Sequence, residues 1–204
     1  MTGTTISHAD AYATAATGDI WLFRGRSTAD RAIQTLTNAP VNHVGMVVAL
    51  DDLPPLIWHA EMGRSLPDMW TGQHQRGVQL HRLDDAVRVW EEKYGQRTWM
   101  RQLVGTISRE QEDQLLQTIE RFNGRAFPKT AGLIGQWAMG RVRRRESDLE
   151  TIYCAELVAT TYQAMGILPK RRPASWYDPG RFSSVDEMDL AQGYGLTGEI
   201  SVVG

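Results

Sequence analysis

Short apolar runs bounded by turn residues recur through the first half of the chain and predict β-strands. The clearest is residues 43–50, HVGMVVAL, in which an ionisable histidine stands at the first position of an otherwise apolar strand. A second run, LIWHAE at 56–61, follows the turn DDLPP, which is short enough for the two strands to pair as antiparallel neighbours. Further strands are predicted at 18–25, 77–83 and 97–105.

Apolar residues at helical spacing predict helices in the second half of the chain. Residues 108–124 begin with the capping box of Ser108 and Gln111 and end at a glycine. Residues 151–168 carry an apolar helical face and are followed by Pro169. Two shorter helices are predicted at 27–40 and 130–142.

The order of these elements predicts an α+β protein, with strands first and helices around them. At 204 residues the chain is long enough to bury a core as one domain, which we expect to span residues 1–204. The core is expected at about 17–168. Residues 169–204 are rich in Pro, Gly, Ser and Asp and are expected to form an irregular covering segment.

Composition and charge narrow the function classes. A net charge of -2 gives no electrostatic reason to expect nucleic acid as a partner. The single cysteine makes an internal disulfide impossible, and the first residues have neither the basic nor the apolar region of a Sec signal peptide. No apolar stretch reaches the ~20 residues that a transmembrane helix needs. The simplest expectation is a soluble cytoplasmic protein, or one exported by another route.

The chemistry-bearing candidates are Cys154, His43 and His59. Cys154 lies in the first turns of the predicted 151–168 helix, where the helix dipole and the unsatisfied N–H groups favour a thiolate. His43 and His59 lie on two strands that we expect to pair, so they can share one face. One imidazole could then take the proton of the thiol while the other orients it. Taken alone, each residue is more often structural than catalytic, as a small buried hydrophobe or a hydrogen-bonded core histidine.

These residues lie in stretches that resemble a known family. GDIWLF, NHVGMVV, LIWHA and YCAELVATTYQAMGIL resemble the NlpC/P60 superfamily of papain-like cysteine hydrolases. The order, with histidine first and cysteine last, is similar to its circularly permuted, YiiX-like branch. The resemblance covers roughly residues 17–168. It implies an antiparallel sheet or small barrel packed against helices.

The resemblance also implies roles and a reaction. Cys154 matches the nucleophile, His43 the general base and His59 the residue that orients it; Glu61, two residues further along the same strand, is the alternative orienter. The implied function is a cysteine peptidase or amidase that cleaves an amide or ester through an acyl-enzyme, without a cofactor. Its substrate would be a peptide, a cell-wall amide or a lipid acyl group. The alternatives are an acyltransferase similar to the lecithin:retinol group and an inactive binding module.

Three smaller expectations complete the sequence-based interpretation. His81 lies at the parity opposite Val78 and Leu80 and is expected to face solvent without a functional role. Loops at 62–76, 84–96 and 169–190 are expected to shape the pocket. A zinc site of His and Cys ligands is disfavoured because the compact ligand spacing of zinc motifs is missing.

Overall fold

The computed structural model of the chain describes residues 4–25, 41–126 and 142–204. The predicted helices at 27–40 and 130–142 lie outside the described residues, apart from Val142. In the described part the strands are β1 (Thr5–Ser7), β2 (Ile20–Arg24), β3 (His43–Val48), β4 (Leu56–Glu61), β5 (Gly77–Arg82), β6 (Arg97–Arg101), β7 (Leu103–Val104), β8 (Gly195–Leu196) and β9 (Ile200–Val203). The helices are α1 (His8–Ala13), α2 (Leu83–Arg88), α3 (Arg109–Phe122) and α4 (Val142–Ala164). A π-helical turn, Val89–Lys93, extends α2, and short 3-10 turns occur at Ala174–Trp176 and Pro179–Phe182.

The sheet that carries the candidate site has seven strands in the order β1-β9-β6-β2-β3-β4-β5. Only the β1–β9 pair is parallel among these neighbours; the others are antiparallel. The expected pairing of the two histidine strands is confirmed, with Met46 opposite Trp58. The α+β class is also confirmed. The small barrel is not formed in the described residues, because the sheet stays open, with β1 and β5 at its edges.

Three expected boundaries differ from the structure. The segment 84–96, expected as a loop, is mostly helical, because α2 and its π-helical turn lie across the sheet. The C-terminal segment is not only irregular, since β9 pairs with β6 inside the large sheet. Helix α4 begins at Val142, well before the expected start at 151. The capping box of Ser108 and Gln111 is present as expected at the start of α3.

Both faces of the sheet are buried, and each face has its own core. Successive side chains of a strand point to opposite faces, so the period of two divides each strand between the two cores. Val44 and Trp58 belong to the first core, which also contains the apolar faces of α3 and α4. Phe23 and Val47 belong to the second, which is covered by α1, α2 and Trp90.

Helix α4 is fixed to the first face by two buried hydrogen bonds. The Nε1 of Trp58 donates to Oγ1 of Thr161 over 3.1 Å, and Oγ1 of Thr161 donates in turn to the carbonyl of Leu157. The hydroxyl of Tyr162 donates to the carbonyl of Gly18, just before β2. These contacts determine which end of the sheet each end of the helix approaches. None of the helices among residues 4–25, 41–126 and 142–204 is both long and apolar enough to cross a bilayer.

The bond from Trp58 predicts an unequal effect of two similar substitutions. Thr161→Val leaves a buried indole N–H without its acceptor, which should lower the unfolding free energy by about 1–3 kcal/mol. Thr118→Val is the matched control, because buried Thr118 also donates to a carbonyl one turn earlier, that of Gln114. Urea unfolding followed by circular dichroism should show the larger loss for Thr161→Val. Equal losses would contradict the proposed attachment of α4.

Candidate active site

Three histidines on adjacent strands form a continuous hydrogen-bonded chain. Nε2 of His43 lies 2.9 Å from Nδ1 of His59, and Nε2 of His59 lies 2.9 Å from Nδ1 of His81. They occupy β3, β4 and β5 respectively, at positions that all point to the second face of the sheet. The expectation that His43 and His59 meet on one face therefore matches their placement.

The chain of rings is completely enclosed. His43, His59 and His81 are each 1% exposed or less. The ring of Trp90 stacks on His43 with a centroid distance of 4.2 Å, and Phe23 contacts the same imidazole at 5.7 Å. The apolar cover of the second face thus holds the imidazole of His43 in one orientation.

Burial keeps these histidines uncharged at neutral pH. Removal from water lowers the pKa of His43 to about 3 and that of His59 well below its ordinary value. Burial also lowers the pKa of His81 to about 4, although the nearby carboxylates of Asp68 and Asp85 act in the opposite direction. A neutral imidazole has the lone pair that a general base needs, but the same burial makes these rings weak bases in this arrangement, because an efficient general base has a pKa near the working pH.

The two ends of the chain are open to a further partner. Nδ1 of His43 and Nε2 of His81 are buried and have no hydrogen-bond partner within the described part of the protein. A neutral imidazole has one donor and one acceptor nitrogen, so two internal bonds leave one atom at each end. The open atom at one end, Nδ1, belongs to His43, the residue that the sequence-based hypothesis assigns as the base for the thiol.

Cys154 is not brought to this chain. It is fully buried in the first core, together with Val44 and Trp58, whereas His43 points into the second core beside Trp90. The alternation of β3 explains the separation, because Val44 and His43 are consecutive residues and must point to opposite faces. In the described arrangement the sulfur and the imidazole therefore lie on opposite sides of the sheet.

The expected position of Cys154 at a helix start is also wrong. Because α4 begins at Val142, Cys154 lies three turns inside the helix. There the backbone N–H groups bond to carbonyls of the preceding turn and the helix dipole no longer concentrates positive charge. Neither thiolate stabilisation nor an oxyanion site formed by the N–H of Cys154 is available in this arrangement.

Glu61, the alternative orienter, is 2% exposed and lies at the second-face parity of β4 with His59. The described hydrogen bond of His43, however, goes to His59. A large surface cavity of about 490 Å³ lies in the C-terminal segment, between Arg171, Trp176 and Arg181, and neither His43 nor Cys154 lines it.

Sequence reasoning missed His81 and Gln79. His81 was expected in solvent, but α2 covers the second face and buries it. Gln79, opposite His59 in the sheet, is fully buried, and both of its side-chain polar atoms lack partners in the described residues. The signal in the sequence was the alternation of polar Gln79 and His81 with apolar residues along β5. Such an alternation fits a face in contact with solvent and also a buried polar site. Within the described ranges, no three His, Cys, Asp or Glu side chains are grouped as metal ligands.

Comparison with known proteins gives a likeness in structure but none in sequence family. No protein-family model matches the sequence, and no curated protein matches it. The metalloprotein YiiX from Escherichia coli O157:H7 is similar in structure, with 26% identity and a TM-score of 0.45 over 73% of this chain and 65% of the YiiX chain. The chain thus spans just under two thirds of that protein's length.

The buried chain predicts a defined loss of stability in acid. Because burial depresses these pKa values, the histidines bind protons below pH 6.5 when the chain is unfolded, whereas folded His81 does not until about pH 4. The stabilisation is present above pH 6.5 and is lost as the pH falls. From about pH 7 to about pH 5.5, each such histidine should cost about 1 kcal/mol of unfolding free energy.

Asp19, whose pKa burial raises to about 6, acts in the opposite direction. The contribution of His81 is therefore read from the difference between variants in how much unfolding free energy is lost between the two pH values. Urea unfolding at both pH values should show that His81→Gln loses about 1 kcal/mol less than the wild type. His8→Gln is the control, because His8 is partly exposed and bonds to Glu91, outside the chain of rings. An acid loss in His81→Gln as large as that of the wild type would contradict the linkage.

Proposed function

We propose that the protein is a cysteine hydrolase that cleaves an amide or ester through an acyl-enzyme. Cys154 is the nucleophile, His43 the general base and His59 the residue that orients it. The observation that carries the proposal is the bond from Nε2 of His43 to Nδ1 of His59, with Nδ1 of His43 left open. This is the base-and-orienter half of a cysteine triad.

The position of Cys154 along the sheet supports the same proposal. Thr161 bonds to Trp58, which pairs with Met46 of β3. Cys154 lies two turns of α4, or about 10 Å, before Thr161. His43 lies about 10 Å before Met46 along β3. If the helix follows the strand, the sulfur and His43 lie at the same level.

The surroundings of Tyr153, the residue before Cys154, indicate which end of the sheet this part of α4 approaches. Burial raises the pKa of the Tyr153 hydroxyl, and the charge of nearby Arg125 lowers it. The carbonyl of Arg125 accepts a bond from the N–H of Val78 at the start of β5. That end of β5 pairs with the end of β4 at Glu61, which is the His43 end of the sheet. These contacts support a direction of α4 in which Cys154 lies toward the His43 end of the sheet, on the opposite face.

The reactive form requires the sulfur to pass around the start of β3 to Nδ1 of His43. His43 then takes the thiol proton, and Sγ attacks the carbonyl carbon to form the C–S bond. Collapse of the tetrahedral intermediate breaks the bond to the leaving amine or alcohol, which takes the proton from His43. Water then attacks the thioester and gives its proton to His43, and the thiolate leaves.

The placement of Cys154 favours one second candidate, a binding module that has the fold but no catalysis. A sulfur enclosed in an apolar core is the ordinary condition of a structural cysteine. The two candidates differ in one observable, which is whether Cys154 of the folded protein becomes acylated by a substrate.

An activated acyl ester separates the candidates. Incubation of the native protein with p-nitrophenyl acetate at neutral pH should release a burst of nitrophenol and add one acetyl group to Cys154, detected by mass spectrometry of the peptides. Cys154→Ser should abolish the adduct. His43→Ala should slow acylation by roughly 100-fold or more, because it removes the general base. His74→Ala, at an exposed histidine, should acylate like the wild type.

Absence of any adduct on the folded protein would overturn the hydrolase and leave the binding module. A Cys154→Ser protein with the full burst would place the reaction elsewhere and reject the proposed nucleophile.

A further inference from the structure

The histidine chain continues beyond the proposed triad to His81. His81 has no place in the nucleophile, base and orienter set, yet it is buried and bonded to His59 at 2.9 Å. A leucine or phenylalanine at this position would fill the second core without a polar group to satisfy. The geometry thus extends the base-and-orienter pair by one residue.

Hydrogen bonding couples the tautomers of the three rings. In one arrangement every ring carries its proton on Nε2, so His43 donates to His59, His59 donates to His81, and Nδ1 of His43 keeps a lone pair. In the other every proton is on Nδ1, both bonds reverse, and Nδ1 of His43 becomes a donor. Only the first arrangement lets His43 accept a proton from a thiol.

The surroundings of His81 favour the first arrangement. Oδ1 of Asp68 accepts a bond from the N–H of Leu80, the residue before His81, over 2.8 Å, and Asp68 is fully buried. The carboxylate of Asp85 also acts on His81, and His74 acts in the opposite direction. Negative charge at this end of the chain favours an N–H on Nε2 of His81 over a lone pair. The opposite end, beside Trp90 and Phe23, is apolar.

We propose that His81 is a positioning residue that holds His59 and His43 in the Nε2–H tautomer and so keeps Nδ1 of His43 available as a base. The catalytic consequence rests on the proposed function. The tautomeric state does not, because it exists in the resting protein without substrate or nucleophile.

Nitrogen NMR tests the tautomers directly. Long-range proton–nitrogen correlation of protein labelled with ¹⁵N-histidine should show Nε2–H and an unprotonated Nδ1 for His43, His59 and His81 at neutral pH. In His81→Phe, His59 loses the acceptor for its Nε2–H, so His59 and His43 should shift toward Nδ1–H. His81→Gln, whose side-chain oxygen can accept that bond, should restore Nε2–H. His8→Phe is the control, because His8 bonds to Glu91 outside the chain of rings, and it should leave the three tautomers unchanged.

A wild-type His43 with Nδ1–H overturns the proposal without any variant, so failure of His81→Phe to fold leaves it testable. A folded His81→Phe protein with unchanged tautomers also overturns it. In the acylation assay, His81→Phe should slow the modification of Cys154 by about fivefold and His81→Gln should recover the rate. If the tautomers behave as expected but the wild type never acylates, the positioning role stands and the hydrolase fails.

Discussion

The structure depends on one constraint, the alternation of side chains along strands that are buried on both faces. In a sheet with one wet face, a polar residue between apolar ones points to water. Here α2 and Trp90 cover the second face, so the side chains of His43 and His59 are buried in the second core. The residues next to them in β3 and β4 point to the first core. The same constraint gathers the histidines on the second face, while Cys154 packs with α4 against the first face.

The chain of imidazoles is a costly way to fill a core. Three neutral rings satisfy one another through two bonds, but the outer nitrogens of His43 and His81 stay without partners in the described structure. Each such buried atom costs roughly 1–3 kcal/mol relative to a satisfied one. Apolar residues of similar size would avoid that cost, so the arrangement favours a functional origin over a packing one.

Local signals in the sequence predicted the elements well, and long-range packing decided what they missed. The turn between β3 and β4 and the capping box of Ser108 are properties of a few adjacent residues, and both formed as predicted. The burial of His81 depends on α2 folding back over the sheet, which the pattern of β5 does not encode. Likewise, the face reached by Cys154 depends on how α4 packs against the sheet and not on its own helical period.

The hydrogen bonds around the start of β3 show which element must move if the thiol is to meet its base. The N–H of Asn42 donates to the carbonyl of Phe23, and the Oδ1 of Asn42 accepts from the N–H of Gly25, both over 2.9 Å. Because Phe23 pairs with His43, rotating His43 to the first face would break this strand pairing and both hydrogen bonds of Asn42. The bonds of Thr161 and Tyr162 hold the part of α4 beyond Leu157. Under the proposed function, the element that shifts is therefore the part of α4 around Cys154, while β3 keeps the base in place.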